Sequence, residues 1–92
     1  MKEKTYKEDL RIYEKDFTSP DCFEGSYAVG TTGFVGGDSS RTVIEFKFGG
    51  GCIEIKPIKN KNGFQINASG DAELRYIMEA FEWIVKKLKE QT

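Results

Sequence analysis

The sequence predicts an α+β fold: a four- to five-stranded antiparallel meander sheet packed on one C-terminal α-helix. Three observations predict it. Apolar residues recur at helical spacing from Leu74 to Leu88, alternation of period two runs through the segments 41–48, 52–58 and 64–68, and short turn-rich links join those segments. With 92 residues, the chain has length for one modest core, so residues 1–92 read as a single domain, with the sheet over about 9–68 and the helix over about 71–89.

Residues 5–17 fit two patterns. Tyr6, Leu10, Tyr13 and Phe17 suit a helix, with Thr5 and Glu8 as a capping box, whereas Leu10 and Ile12 suit a strand. A strand around 9–17 is favoured, because a meander is the simplest topology for such short links. Residues 18–21 form its turn, and the alternation of Phe23, Gly25, Tyr27 and Val29 places a second strand at about 22–30. In the next strand Thr42, Ile44, Phe46 and Phe48 share one side, and Val43, Glu45 and Lys47 the other. Three glycines at 49–51 turn it into the segment 52–58, where Ile53 and Ile55 point inward and Pro57 suits an edge or a strand end. Asn62-Gly63 signals the hairpin turn to the strand 64–68.

The helix has the clearest pattern. Ile77, Met78, Phe81, Ile84, Val85 and Leu88 continue the face begun by Leu74, Ser69 or Gly70 caps the start, and acidic and basic residues sit at the ends that the helix dipole favours. Tyr76, Ala80 and Trp83 form a second line beside it. This line has two readings: a sheet margin with polar ends in water, or a contact surface for self-association or a partner.

The most unusual segment is the connection 30–41, Gly-Thr-Thr-Gly-Phe-Val-Gly-Gly-Asp-Ser-Ser-Arg, which is longer than a tight hairpin loop. One reading is an anion cradle. Amides freed by Gly30, Gly33, Gly36 and Gly37 donate to phosphate oxygens, Thr31, Thr32, Ser39 and Ser40 add hydroxyls, and Arg41 supplies a charged fork. Phe34 would stack on a base, and Asp38 would take a ribose hydroxyl or fold the turn through its own side chain. The other reading is a loop that packs Phe34 and Val35 against a neighbour. The segment is neither a Walker loop nor a dinucleotide fingerprint, because no Gly-Lys-Ser/Thr follows it and it does not lead into a helix.

Composition excludes several chemistries. The chain contains no histidine, so Ser-His-Asp and Cys-His mechanisms lack their proton carrier, and no catalytic residues or cofactor are expected. Cys22 and Cys52 are too few for a disulfide scaffold or a four-ligand zinc site, and read as buried, inert thiols. Formal net charge is −1, distributed as −3 over residues 1–46 and +2 over residues 47–92, so nucleic acid is not an expected partner. Lys56, Lys59 and Lys61 read as a solvated hairpin tip. Neither a signal peptide nor a membrane span is evident, which points to a cytoplasmic protein without membrane partners.

The stretch Gly30-Thr31-Thr32-Gly33-Phe34, followed by Gly36-Gly37-Asp38 and Arg41-Thr42, resembles a segment of small phage and prophage proteins, as does the sheet-plus-helix layout. The resemblance implies a stoichiometric, counter-defence role: sequestering a nucleotide signal or inhibiting a host defence enzyme. Three functional readings stand together. The first is a non-enzymatic binding protein that holds a small anionic, nucleotide-like ligand through Thr31, Thr32, Gly33, Phe34, Gly36, Gly37, Asp38, Ser39 and Arg41, in a homo-oligomer joined by Tyr76, Ala80 and Trp83. The second is a protein–protein inhibitor of a host defence nuclease, comparable to an anti-CRISPR protein, with Trp83, Tyr76 and Phe34 as its hot spot. The third is a structural or assembly module without a ligand.

Overall fold

The computed structural model describes residues 2–5, 10–18, 24–49 and 52–92. Strands β1 (Lys2–Thr5), β2 (Arg11–Thr18), β3 (Glu24–Thr31) and β4 (Thr42–Gly49) form one antiparallel sheet in chain order. Among the described residues, strands β5 (Ile53–Pro57) and β6 (Phe64–Ala68) pair only with each other, and helix α1 covers Asp71–Gln91. The fold is α+β, with antiparallel sheets and one carboxy-terminal helix. Residues 11–18 are strand, as favoured, and β1 is an addition to the expected meander. Its charged sequence carries no apolar alternation, and its place is set by pairing of Lys2–Thr5 with Arg11 to Glu14 of β2. The turn expected at 18–21 lies mostly outside the described residues, as does Cys22.

The β5–β6 hairpin leaves the meander for a reason visible in its side chains. Register pairs Ile53 with Ala68, Ile55 with Ile66 and Pro57 with Phe64, so one face is apolar, while Glu54, Lys56, Gln65 and Asn67 occupy the other. The apolar face turns toward β4 and the helix: Ile53, Ile55 and Ile66 line a small apolar cavity with Phe46, Phe48, Tyr76, Ile77 and Phe81. Two polar links hold its base. The Ser69 amide donates to the Cys52 carbonyl (2.9 Å), and the Cys52 amide donates to the Glu73 carboxylate (3.0 Å) in the first turn of the helix. Cys52 itself is exposed, not buried as its strand-like setting suggested, because it precedes β5 at this outer corner. The hairpin turn places Asn60, not Gly63, in the left-handed region (φ 61°), and the Ile58 amide donates to the Gly63 carbonyl.

The main core lies between the sheet and the helix. Phe17, Tyr27 and Val29 from β2 and β3 meet Tyr76, Ala80 and Ile84, with Phe46 and Phe48 of β4 at the margin. Tyr76 sits edge-on to both Phe17 and Tyr27, with centroids 5.5 and 5.6 Å apart, and Tyr27 meets Trp83 in the same way at 5.4 Å. Such pairs add about 0.5–1.5 kcal/mol to simple area burial. On the opposite sheet face Leu10, Ile12 and Ala28 form a second, smaller cluster with Val43. As expected from alternation, Phe46 and Phe48 face the helix and Val43 faces away.

Candidate functional site

The β3–β4 connection is a loop fastened at its base. Thr31 and Thr42 are the last paired residues, and their hydroxyls hydrogen-bond across the strands at 2.9 Å. Beyond them, the Thr32 amide donates to the Arg41 carbonyl (3.0 Å), and the Arg41 amide donates to Thr32 Oγ1 (3.0 Å). Thr31 Oγ1 also accepts from the Gly33 amide, and Ser40 Oγ accepts from the Val35 amide at 3.3 Å. A short 3₁₀ turn, Gly37–Ser39, closes the far side through the Ser39 amide and the Gly36 carbonyl. Side-chain hydroxyls that satisfy neighbouring backbone groups are a general way to order an irregular loop.

Gly33 anchors this loop to the end of the helix. Its φ is +79°, and a Cβ there would lie 2.9 Å from the Gln91 carbonyl oxygen, so only glycine fits without displacement. Gly36 and Gly37, also at positive φ, face open space. Phe34 is 90% exposed and Val35 is more than half exposed, so the loop presents an apolar tip instead of packing it on a neighbour. Asp38, Ser39 and Arg41 are exposed around it.

For the proposed cradle this arrangement has a direct chemical meaning. The hydroxyls of Thr31, Thr32 and Ser40 and the amides of Thr32, Gly33, Val35, Ser39 and Arg41 already have partners inside the loop. The loop is thus held rigid by the groups that a phosphate cradle would have used.

The line Tyr76, Ala80 and Trp83 is placed differently from a contact surface. Tyr76 is 2% exposed and Ala80 is fully buried, both beneath the sheet, and neither side chain is open to a second chain. Trp83 is half-buried against Tyr27, with the Lys87 ammonium 5.9 Å from its ring centre and 5.4 Å from that of Tyr13. The physical reason lies in size and polarity. Ala80 permits close approach of the helix, and the Tyr76 hydroxyl donates to the Ser26 carbonyl (2.7 Å) and the Lys47 carbonyl (3.2 Å). Burial pushes the Tyr76 phenol up to about 12, with Tyr27 nearby adding to the effect. The Tyr27 phenol is raised as well, by burial and then by the Glu79 charge.

The helix face that carried the strongest apolar pattern is instead largely exposed. Leu74, Met78, Phe81 and Val85 all stand about half open to solvent, with Phe81 leaning on Phe46 at 5.6 Å between ring centres. The sequence groups them on one apolar face with Ile77, Ile84 and Leu88, and it is these last three that pack on the core. Spacing does not single them out, because Ile77, Phe81, Ile84 and Leu88 on the core side of the same arc repeat at the same intervals. Among the described residues no three His, Cys, Asp or Glu side chains cluster to hold a metal ion, and no helix is long and apolar enough to cross a membrane. Family models, curated proteins and solved structures give no match to this chain.

Proposed function

We propose that this chain is a non-enzymatic protein-binding module that presents Phe34 and Val35 on a braced loop. The observation that carries this reading is the contrast between the tip and its support. A phenylalanine ring 90% open to solvent stands on a loop closed by hydrogen bonds at both Thr31–Thr42 and Thr32–Arg41. A preorganised aromatic anchor binds with little ordering cost, and such anchors dominate interface energetics. Of the three aromatic residues expected to form a hot spot, Phe34 is the one the fold leaves outside; Tyr76 and Trp83 serve the core. The phage-type resemblance adds a setting, stoichiometric inhibition of a host defence enzyme, to this reading.

The test pairs capture with reconstitution. A protein recovered from host lysate on the immobilised chain is purified and titrated calorimetrically against wild type and Phe34→Ala. The expected result is one-to-one binding, weakened at least tenfold by Phe34→Ala with the melting temperature unchanged. Binding that is indifferent to both Phe34→Ala and Val35→Ser would reject the reading. The small-ligand alternative draws on one observation, the amides of Gly36, Gly37 and Asp38, which make no hydrogen bond within the described residues. Heat on titration with linear or cyclic nucleotides, retained in Phe34→Ala, would favour it.

A further inference from the structure

We infer that the exposed seam of the helix, Leu74, Met78, Phe81 and Val85, is a two-fold interface with a second copy of this chain, the two helices running antiparallel. Its apolar content comes first. Met78 is 56% exposed, Leu74 55%, Val85 47% and Phe81 46%, all on one side of the helix. The hairpin extends the surface, because Ile55 and Phe81 line the same small cavity and Ile55 and Phe64 also stand open. Together these side chains offer apolar area on the order of 500–600 Å² per chain, at the upper end of what an ordinary monomer exposes in one patch and most of the roughly 800 Å² that each partner buries in a standard interface.

The identity of the occupant follows from spacing and charge. Residues 74, 78, 81 and 85 are separated by four, three and four positions, the periodicity of a helix that packs along a second helix. Antiparallel pairing about the middle of this seam sets Leu74 against Val85 of the second copy and Met78 against Phe81. The same operation decides what lies on the solvent flank. Arg75 comes beside Glu82 of the second copy, Asp71 comes beside Lys89, and the two-fold repeats both pairs. All four residues are exposed.

The surface along the solvent flank of the seam, from its amino-terminal to its carboxy-terminal half, reflects that complementarity. One shallow groove is lined by Asp71, Arg75, Glu79 and Glu82 with Leu74 and Met78, and carries net negative charge. The other, lined by Glu82, Lys86 and Lys89 with Phe81 and Val85, is net positive. A two-fold axis lays the negative groove of one copy on the positive groove of the other, and it opposes the two helix dipoles. Parallel pairing would instead set like charges together. A surface that matches its own reverse is what an isologous dimer requires.

Sedimentation equilibrium of the intact chain tests this. The expected mass at tens of micromolar is twice 10.4 kDa, falling toward the monomer on dilution. Met78→Glu should weaken the dimer a hundredfold or more while circular dichroism keeps the native spectrum. Arg75→Glu and Glu82→Arg, both at exposed positions that do not bear on folding, should each weaken it about tenfold, and the double exchange should restore it. A monomer at 200 μM overturns the inference, and so does a dimer that the charge reversals leave unchanged or that the double exchange fails to restore. Because Phe34 lies outside the seam, Phe34→Ala should leave the dimer intact, which keeps this result separate from the binding role of the loop.

Discussion

Tyr76 lies against the bare backbone of Gly25. A Cβ at Gly25 would sit 2.8 Å from Tyr76 Cε1 and 2.8 Å from the Lys47 carbonyl oxygen, so the absent side chain is the space the ring occupies. From that position the phenol reaches the carbonyls of Ser26 and Lys47 on adjacent strands. Gly25→Ala is therefore expected to lower the stability of the chain by about 2–3 kcal/mol, by forcing either the ring or β4 to move. A shift of the urea midpoint at unchanged slope measures it.

The same phenol makes stability depend on alkaline pH. Its native pKa, about 12, lies above the ordinary phenol value of 10.0, so the native state holds this proton more tightly than the unfolded chain does. The contribution is fully present below pH 10 and is lost as pH rises through the interval from 10 to about 12. Ultraviolet titration of the native protein should show a tyrosinate transition near pH 12 that Tyr76→Phe removes. Melting temperature should fall across that same interval.

Glu73 is expected to act locally and selectively. Its buried carboxylate accepts from the Cys52 amide and sits in the first helical turn, where negative charge is favourable. Glu73→Ala should cost about 1–3 kcal/mol, because it leaves that amide without its partner. Hydrogen exchange should accelerate in β5 and β6 more than in β2 and β3, since the hairpin shares no strand ladder with the main sheet.

Removing the bracing of the loop should loosen it locally at a modest cost in global stability. Thr32→Val deletes the acceptor for the Arg41 amide while preserving shape. The expected outcome is a loss of global stability of about 0.5–1.5 kcal/mol. Nuclear relaxation should show increased motion confined to residues 33–40. Phe34→Ala, at an open position, should change stability by less than about 0.5 kcal/mol.

Much of this architecture was legible in the residues, and what was not has identifiable causes. Alternation located β4, β5 and β6, and the spacing after residue 70 located the helix, because periodicity follows directly from backbone geometry. The orientation of the helix did not follow. Its apolar residues span an arc of roughly 240°, wider than a sheet can cover, and the pattern alone does not say which part docks. The decision came from long-range fit: the small Ala80, the space over Gly25 and two carbonyls within reach of Tyr76. In the loop, glycine positions and hydroxyls were visible as a set, but their direction depends on the pairing of Thr31 with Thr42, which brings residues 32 and 41 within bonding reach. β1 was hidden because its residues carry charge, and only the register with β2 makes them a strand.

The contact between Gly33 and Gln91 has a practical consequence. Thr92 Cα lies 3.6 Å from where a Gly33 Cβ would be, so any affinity tag fused after Thr92 leaves the molecule alongside the Phe34 tip. Reagents for binding assays should carry their tags at the amino end.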